Sequence, residues 1–212
     1  MSEDFGKMAE LLISGKVDAV AEMTQNFIDS GADAKEVMDK GLIAGMDVVG
    51  QRFKTGEMFI PEVLRSAKAM SAGMEKLRPI LAEGDAKMAG TLIIGTVKGD
   101  LHDIGKNLVA MMFEGAGFKV VNLGIDLEPD AFVNAVKEHK PDLLGMSALL
   151  TTTMPKMGET INALKEAGIR DQVKIMIGGA PVTDEFAKEI GADIYGANAA
   201  SSVDKGKEAL GL

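Results

Sequence analysis

Apolar positions in the first 83 residues recur at helical intervals. Val63, Ala67, Met70, Met74, Leu77 and Leu81 follow one another at alternating spacings of four and three, the mark of one buried helical stripe. Leu42, Met46, Val49 and Phe53 repeat that rhythm in the segment before, and Val17, Val20, Met23 and Phe27, with Phe5, Met8 and Leu12, extend it towards the start. Pro61 suits the first turn of the last of these helices, where its missing N–H costs nothing. Four amphipathic helices on short connections are best satisfied as a small bundle.

From Gly90 the period changes. Thr91–Val97, Lys119–Leu123, Leu143–Met146 and Val173–Ile177 are short, largely apolar runs, and Ala192–Tyr195 is a weaker fifth. Helical patterns separate or follow them at roughly 104–116, 128–139, 153–167, 183–190 and 199–210. Strand alternating with helix implies parallel strands buried on both faces, because right-handed crossovers set helices on each side. The expected fold is α/β: a four-helix bundle over 1–83, then a doubly wound, flavodoxin-like parallel sheet of five strands over 91–212. The polar, small-residue stretch between them reads as a linker, 84–90, able to hinge.

Composition narrows the chemistry. Hydrophobic residues make up 46% of the 212, enough for a packed core. A net charge of −9 repels phosphate backbones and anionic lipid, so neither nucleic acid nor membrane is an expected partner. The absence of cysteine removes disulfides, zinc knuckles, iron–sulfur ligation and thiol catalysis. With no long apolar stretch and no basic region at Met1-Ser2-Glu3-Asp4, a cytoplasmic protein is expected. The 15 methionines read chiefly as pliable core filler.

Ligands of an open parallel sheet bind beyond the carboxyl ends of its strands, where the strand order reverses. The loop after the first strand is Lys98-Gly99-Asp100-Leu101-His102-Asp103-Ile104-Gly105, and the loop after the third begins at Ser147 and carries Thr151, Thr152 and Thr153. Strand four ends in Gly178-Gly179 and strand five in Tyr195-Gly196, so the unusual residues collect on one rim. Neither a dinucleotide-binding glycine fingerprint nor a P-loop is present. Instead an imidazole follows a carboxylate by two positions, and a carboxylate that takes a histidine N–H leaves the other ring nitrogen free for a metal. One histidine is too few for zinc or non-haem iron but suffices for a metal already held by a macrocycle, haem or corrin. His139, before Pro141 at a helix end, reads as a solvated residue favoured by the helix dipole.

Asp100-Leu101-His102-Asp103-Ile104-Gly105, followed by Ser147-x-Leu149 and Gly178-Gly179, resembles the cobalamin-binding signature of corrinoid proteins. The run Gly95–Asn107 is similar to its counterpart in cobalamin-dependent methionine synthase and in the small corrinoid proteins of methanogens and acetogens, and Gln51–Pro61 resembles their cap module. The resemblance implies a cobalamin or related corrinoid bound base-off/His-on. His102 would be the axial ligand to cobalt, Asp100 its hydrogen-bonded partner, and Thr153 the relay hydroxyl, where the family has serine. It assigns Ser147 and Thr151 to the displaced nucleotide tail, with Leu149 beside them, and Gly178, Gly179, Tyr195 and Gly196 to the cleft that receives it. Asp103, Ile104 and Gly105 complete the cofactor loop, although a first-turn carboxylate explains Asp103 equally well; Phe53 and Ile60 would cover the cobalt–methyl bond.

The implied activity is that of a methyl carrier, the corrinoid subunit of a multi-component methyltransferase in anaerobic one-carbon metabolism. Cobalt(I) would accept a methyl group from a substrate:corrinoid methyltransferase and yield it to a corrinoid:tetrahydrofolate or corrinoid:coenzyme M methyltransferase, with a reductive activase as a third partner. Methylamines, methanol, betaines and aryl methyl ethers are the family's donors, and the partner makes the choice. A regulator or photoreceptor would carry a DNA-binding module and a tryptophan, and a small mutase subunit would lack the helical cap. A passive cobalamin store is the plain alternative.

Overall fold

Burial follows the apolar stripes. The computed structural model describes residues 2–83 and 88–212, so most of the expected 84–90 linker lies outside the described residues. Contacts divide the chain into two compact units, one of Met1–Ala89 with Met111–Gly117, the other of Gly90–Ala110 with Phe118–Leu212.

In the first unit, α1 (Ser2–Ile13) buries Phe5, Met8 and Leu12, and α2 (Val17–Asp29) buries Val20 and Phe27. The Phe5 and Phe27 rings stack with centroids 4.9 Å apart. Thr24 is buried in α2 as well, at no polar cost, because its hydroxyl donates to Val20 O at 2.8 Å. The third rod opens as α3 (Ala34–Glu36), capped by the Asp33 carboxylate, passes through a π-helical turn at Val37–Ile43, and continues as α4 (Ala44–Lys54). Gly41 and Gly45, four apart, let α1 approach this rod closely: a Cβ on Gly45 would stand 3.2 Å from both Ala9 Cα and Leu12 Cδ2. The fourth rod, α5 (Ile60–Glu83), buries Val63, Ala67, Met70, Met74 and Leu77 and leaves Leu81 half-buried.

The second unit alternates strand and helix: β1 (Gly90–Val97), α6 (Ile104–Gly115), β2 (Phe118–Leu127), α7 (Pro129–His139), β3 (Leu143–Ser147), α8 (Pro155–Glu166), β4 (Lys174–Gly178), α9 (Asp184–Ile190), β5 (Ile194–Gly196) and α10 (Ala199–Ala209). The five strands are parallel in the order β2-β1-β3-β4-β5. Ile93 and Val97 of β1, Leu144 and Met146 of β3 and Ile175 and Ile177 of β4 form one core with Phe132 and Val136 of α7 and Ile161 and Leu164 of α8. Right-handed crossovers put α6 on the opposite face.

Two differences from the sequence pattern matter. β2 runs to Leu127, beyond the apolar run that ends at Leu123, and its pairing with β1 slips at Ile94/Gly95 and again between Gly95 and Val97. As an edge strand covered on one side only, its outer half needs no apolar pattern, and each slip adds a residue on β2. The π turn is the second difference: the apolar stripe through Leu42, Met46 and Val49 carries no mark of it. Among the described residues, no helix is long and apolar enough to cross a membrane.

Candidate functional site

The strand order reverses between β1 and β3, and a single carboxylate joins the loops that leave them. Past β1 the chain turns through Gly99, at φ 81°, with Asp100 N donating to Val97 O at 3.2 Å. The turn carries the Asp100 side chain inward until it is fully buried. There Oδ1 accepts from His102 N at 3.0 Å and lies 2.7 Å from His102 Nδ1. Oδ2 accepts from the β3 loop: Leu149 N at 2.7 Å, Leu150 N at 3.3 Å and the Thr153 hydroxyl at 2.8 Å. That hydroxyl also lies 2.9 Å from Leu150 O, so its one proton has two acceptors.

This arrangement settles the charge on Asp100. Burial pushes its pKa up, but the Leu149 and His102 amides, the His102 ring and the Thr153 hydroxyl together hold it well below the usual carboxylate range. An ionised Asp100 can only accept here, so it favours the His102 tautomer with the proton on Nδ1 and the lone pair of Nε2 outward, on a side chain that is 52% exposed. The buried Thr96 hydroxyl of β1 donates to His102 O at 2.9 Å and fixes the backbone of the same residue.

The other residues singled out by the sequence fall into three groups. Leu149 is on the Asp100 network through its amide, while Ser147 at the end of β3 and the exposed Thr151 share that loop outside the network. Asp103 stands immediately before α6, where its carboxylate accepts from Asn107 Nδ2 at 3.0 Å. Ile104 and Gly105 begin α6 on the surface, Ile104 71% exposed, and a Cβ on Gly105 would meet nothing within 4 Å. Leu101 and Leu150 add to the exposed apolar surface beside His102.

The glycines at the ends of β4 and β5 behave differently. A Cβ on Gly179, at φ 142°, would strike Ala148 O, one on Gly196 would strike Ser202 Oγ, and one on Gly178 would lie 3.0 Å from Gly196 O. Neighbouring backbone therefore demands glycine at 178 and 179, and the Ser202 side chain demands it at 196. Tyr195 is half-buried beside them, with Lys205 Nζ 5.5 Å from its ring centroid. Phe53, half-buried at the end of α4, and Ile60, exposed at the start of α5, sit at one turn of the helical unit. His139 closes α7, at the end of the sheet opposite His102.

Among the described residues no group of three or more acidic or imidazole side chains could hold a bare metal ion. A metal with its own equatorial ring needs only one axial nitrogen, and His102 Nε2 is available for that role beside exposed apolar surface and an open glycine. The residues fit such a group. Sequence reasoning named Asp100, His102 and Thr153, which the structure brings together, but not Thr96, whose only signal is a hydroxyl within the apolar run of β1.

Comparison with known proteins points the same way. Two family models, both described as a B12 binding domain, match residues 5–78 and 90–204. Trimethylamine corrinoid protein 2 of Methanosarcina mazei is 49% identical over 195 residues, 91% of this chain and 89% of that one. Dimethylamine corrinoid protein 1 of Methanosarcina acetivorans is 44% identical over 205 residues, 96% of each. The methanol:cobalamin methyltransferase complex of Methanosarcina barkeri contains a chain that superposes with a TM-score of 0.88 at 33% identity, covering 99% of this chain and 81% of that one.

Proposed function

This chain belongs to the family of corrinoid proteins built from B12 binding domains, and from that premise we propose that it carries methyl groups between methyltransferases on a corrinoid ligated by His102. One observation carries the reading. The buried Asp100 holds His102 Nδ1 at 2.7 Å and so turns Nε2 outward as the ring nitrogen free to meet a metal. Bound corrinoid would supply the cobalt on which a methyl group is accepted and released.

Each side chain then has a defined task. Asp100 fixes the imidazole tautomer and ring direction, and Thr153 occupies one lone pair of the far carboxylate oxygen. Leu101, Ile104 and Leu149 offer apolar surface to the ring, and Gly105 leaves room for its approach. Ser147 and Thr151 would receive the polar nucleotide tail in a base-off/His-on state, and Gly178, Gly179, Tyr195 and Gly196 would line its cleft, while Asp103 holds the start of α6. Phe53 and Ile60 are assigned to cover the upper face.

The names of the relatives support a subunit of a methyltransferase system rather than a store or a regulator. A substrate:corrinoid methyltransferase is therefore the first partner. A corrinoid:tetrahydrofolate or corrinoid:coenzyme M methyltransferase and a reductive activase complete the cycle. That relatives named for trimethylamine, dimethylamine and methanol all resemble this chain supports a donor chosen by the partner methyltransferase.

Absorption spectra of wild type and His102→Ala, each saturated with methylcobalamin, test the reading. Wild type should give a six-coordinate, nitrogen-ligated spectrum and the variant the base-off form. Coincident spectra would remove His102 as the ligand, and failure of both to bind would remove the corrinoid.

A further inference from the structure

The segment of β2 that the apolar pattern does not predict lies against the His102 loop and bonds to it on both sides. Within the second slip, Asp126 adopts φ 56°, a left-handed conformation rare for a residue with a side chain. In it, Asp126 Oδ1 accepts from Gly99 N at 2.8 Å while Asp126 N donates to Asp100 O at 3.2 Å. One residue thus holds two consecutive positions just before His102.

A second set of bonds reaches the position just after it. Asn122 Oδ1 accepts from Lys106 Nζ at 2.6 Å and from Gly124 N at 3.1 Å, at the first slip. Lys106 Nζ also donates to Asn107 Oδ1 at 2.7 Å, Asn122 Nδ2 donates to the same oxygen at 3.0 Å, and Asn107 Nδ2 donates to Asp103 Oδ2 at 3.0 Å. Lys106 is only 3% exposed, and its hydrogen-bond partners are neutral amides. Burying an ammonium without a bonded carboxylate costs stability, whereas a methionine would fill the same space without that cost. What the lysine adds is one directional bond from α6 to Asn122 of β2 and a second that orients Asn107 on α6 itself.

We propose that the outer end of β2 is a positioning brace for the axial ligand, in which Asp126 and the Asn122–Lys106–Asn107 cluster hold the loop on either side of His102. These are positioning residues, acting through His102. The proposal rests on His102 being the ligand, as above. Outer partners of metal-ligating histidines typically change metal affinity by about tenfold or more when removed.

The test is the ratio of nitrogen-ligated to base-off spectrum at saturating methylcobalamin, with a thermal melt of each variant beside it. Asp126→Ala removes the acceptor and strains the left-handed residue, so its ratio should fall about tenfold. Asp126→Asn keeps an acceptor and tolerates that conformation, and should restore the ratio. Lys106→Met should lower the ratio while keeping most of the melting temperature. A wild-type ratio in Asp126→Ala, or in Lys106→Met if the first does not fold, overturns the brace. A wild type whose spectrum equals that of His102→Ala instead overturns the ligand assignment on which the brace depends.

Discussion

Asp100 concentrates the chemistry of this site because its two oxygens face two loops. A buried carboxylate with amide, imidazole and hydroxyl donors on both oxygens is compensated where it stands, and losing any one donor leaves part of its charge exposed to a low dielectric. Gly105 is the counterpart: nothing in the protein lies where its Cβ would be, and glycine inside a helix costs roughly 0.5–1 kcal/mol relative to alanine. Gly105→Ala should therefore stabilise the cofactor-free protein by about that amount while weakening methylcobalamin binding. A melt and a binding titration would read the two effects, and a variant that gains both stability and affinity would remove Gly105 from the cofactor surface.

At the scale of elements, the closest packing in the helical unit is where α1 crosses the third rod. Gly45→Ala would push a methyl group against the α1 backbone at Ala9, which cannot turn aside as a side-chain tip can. Overpacking costs about 1–3 kcal/mol against a helix-propensity gain of about 0.5–1 kcal/mol, so the net should be a loss, seen as a lower denaturation midpoint with an unchanged slope. An unchanged midpoint would mean that α1 can shift outward freely. The elements themselves were largely legible, since Val63 to Leu77 and the runs at β1, β3 and β4 are buried as their spacing implies. The outer half of β2 was not, because an edge strand follows its partner's hydrogen bonds and carries no apolar period of its own. Likewise, Asp100 and His102 are two residues apart and readable as a local motif. Asp126 meets Gly99 only after a 27-residue excursion, and no local spacing encodes that.

For the molecule as a whole, a net charge of −9 makes protonation of acidic groups a relief. Glu114 belongs to Met111–Gly117, the stretch that groups with the helical unit although it lies beyond β1 in sequence. Burial raises its carboxyl pKa, and the Arg78 charge offsets this in part. The folded state then binds that proton more readily than the unfolded chain, so the contribution is most favourable below the unfolded carboxylate pKa and is lost as pH rises through the folded one. Glu114→Gln should raise the melting temperature at pH 7 by more than at pH 4. An equal shift at both values would show that the carboxyl does not titrate differently on folding.

The slips in β2 also have a consequence for the protein at high concentration. An edge strand of ten residues, Phe118–Leu127, is long enough to template the addition of a strand from another molecule. Its irregular pairing and the left-handed backbone at Gly124 and Asp126 break that edge into pieces too short and too twisted to be copied. At the far edge β5 is only three residues long. The geometry that borders the histidine loop thus also leaves neighbouring copies no long, regular edge on which to add a strand.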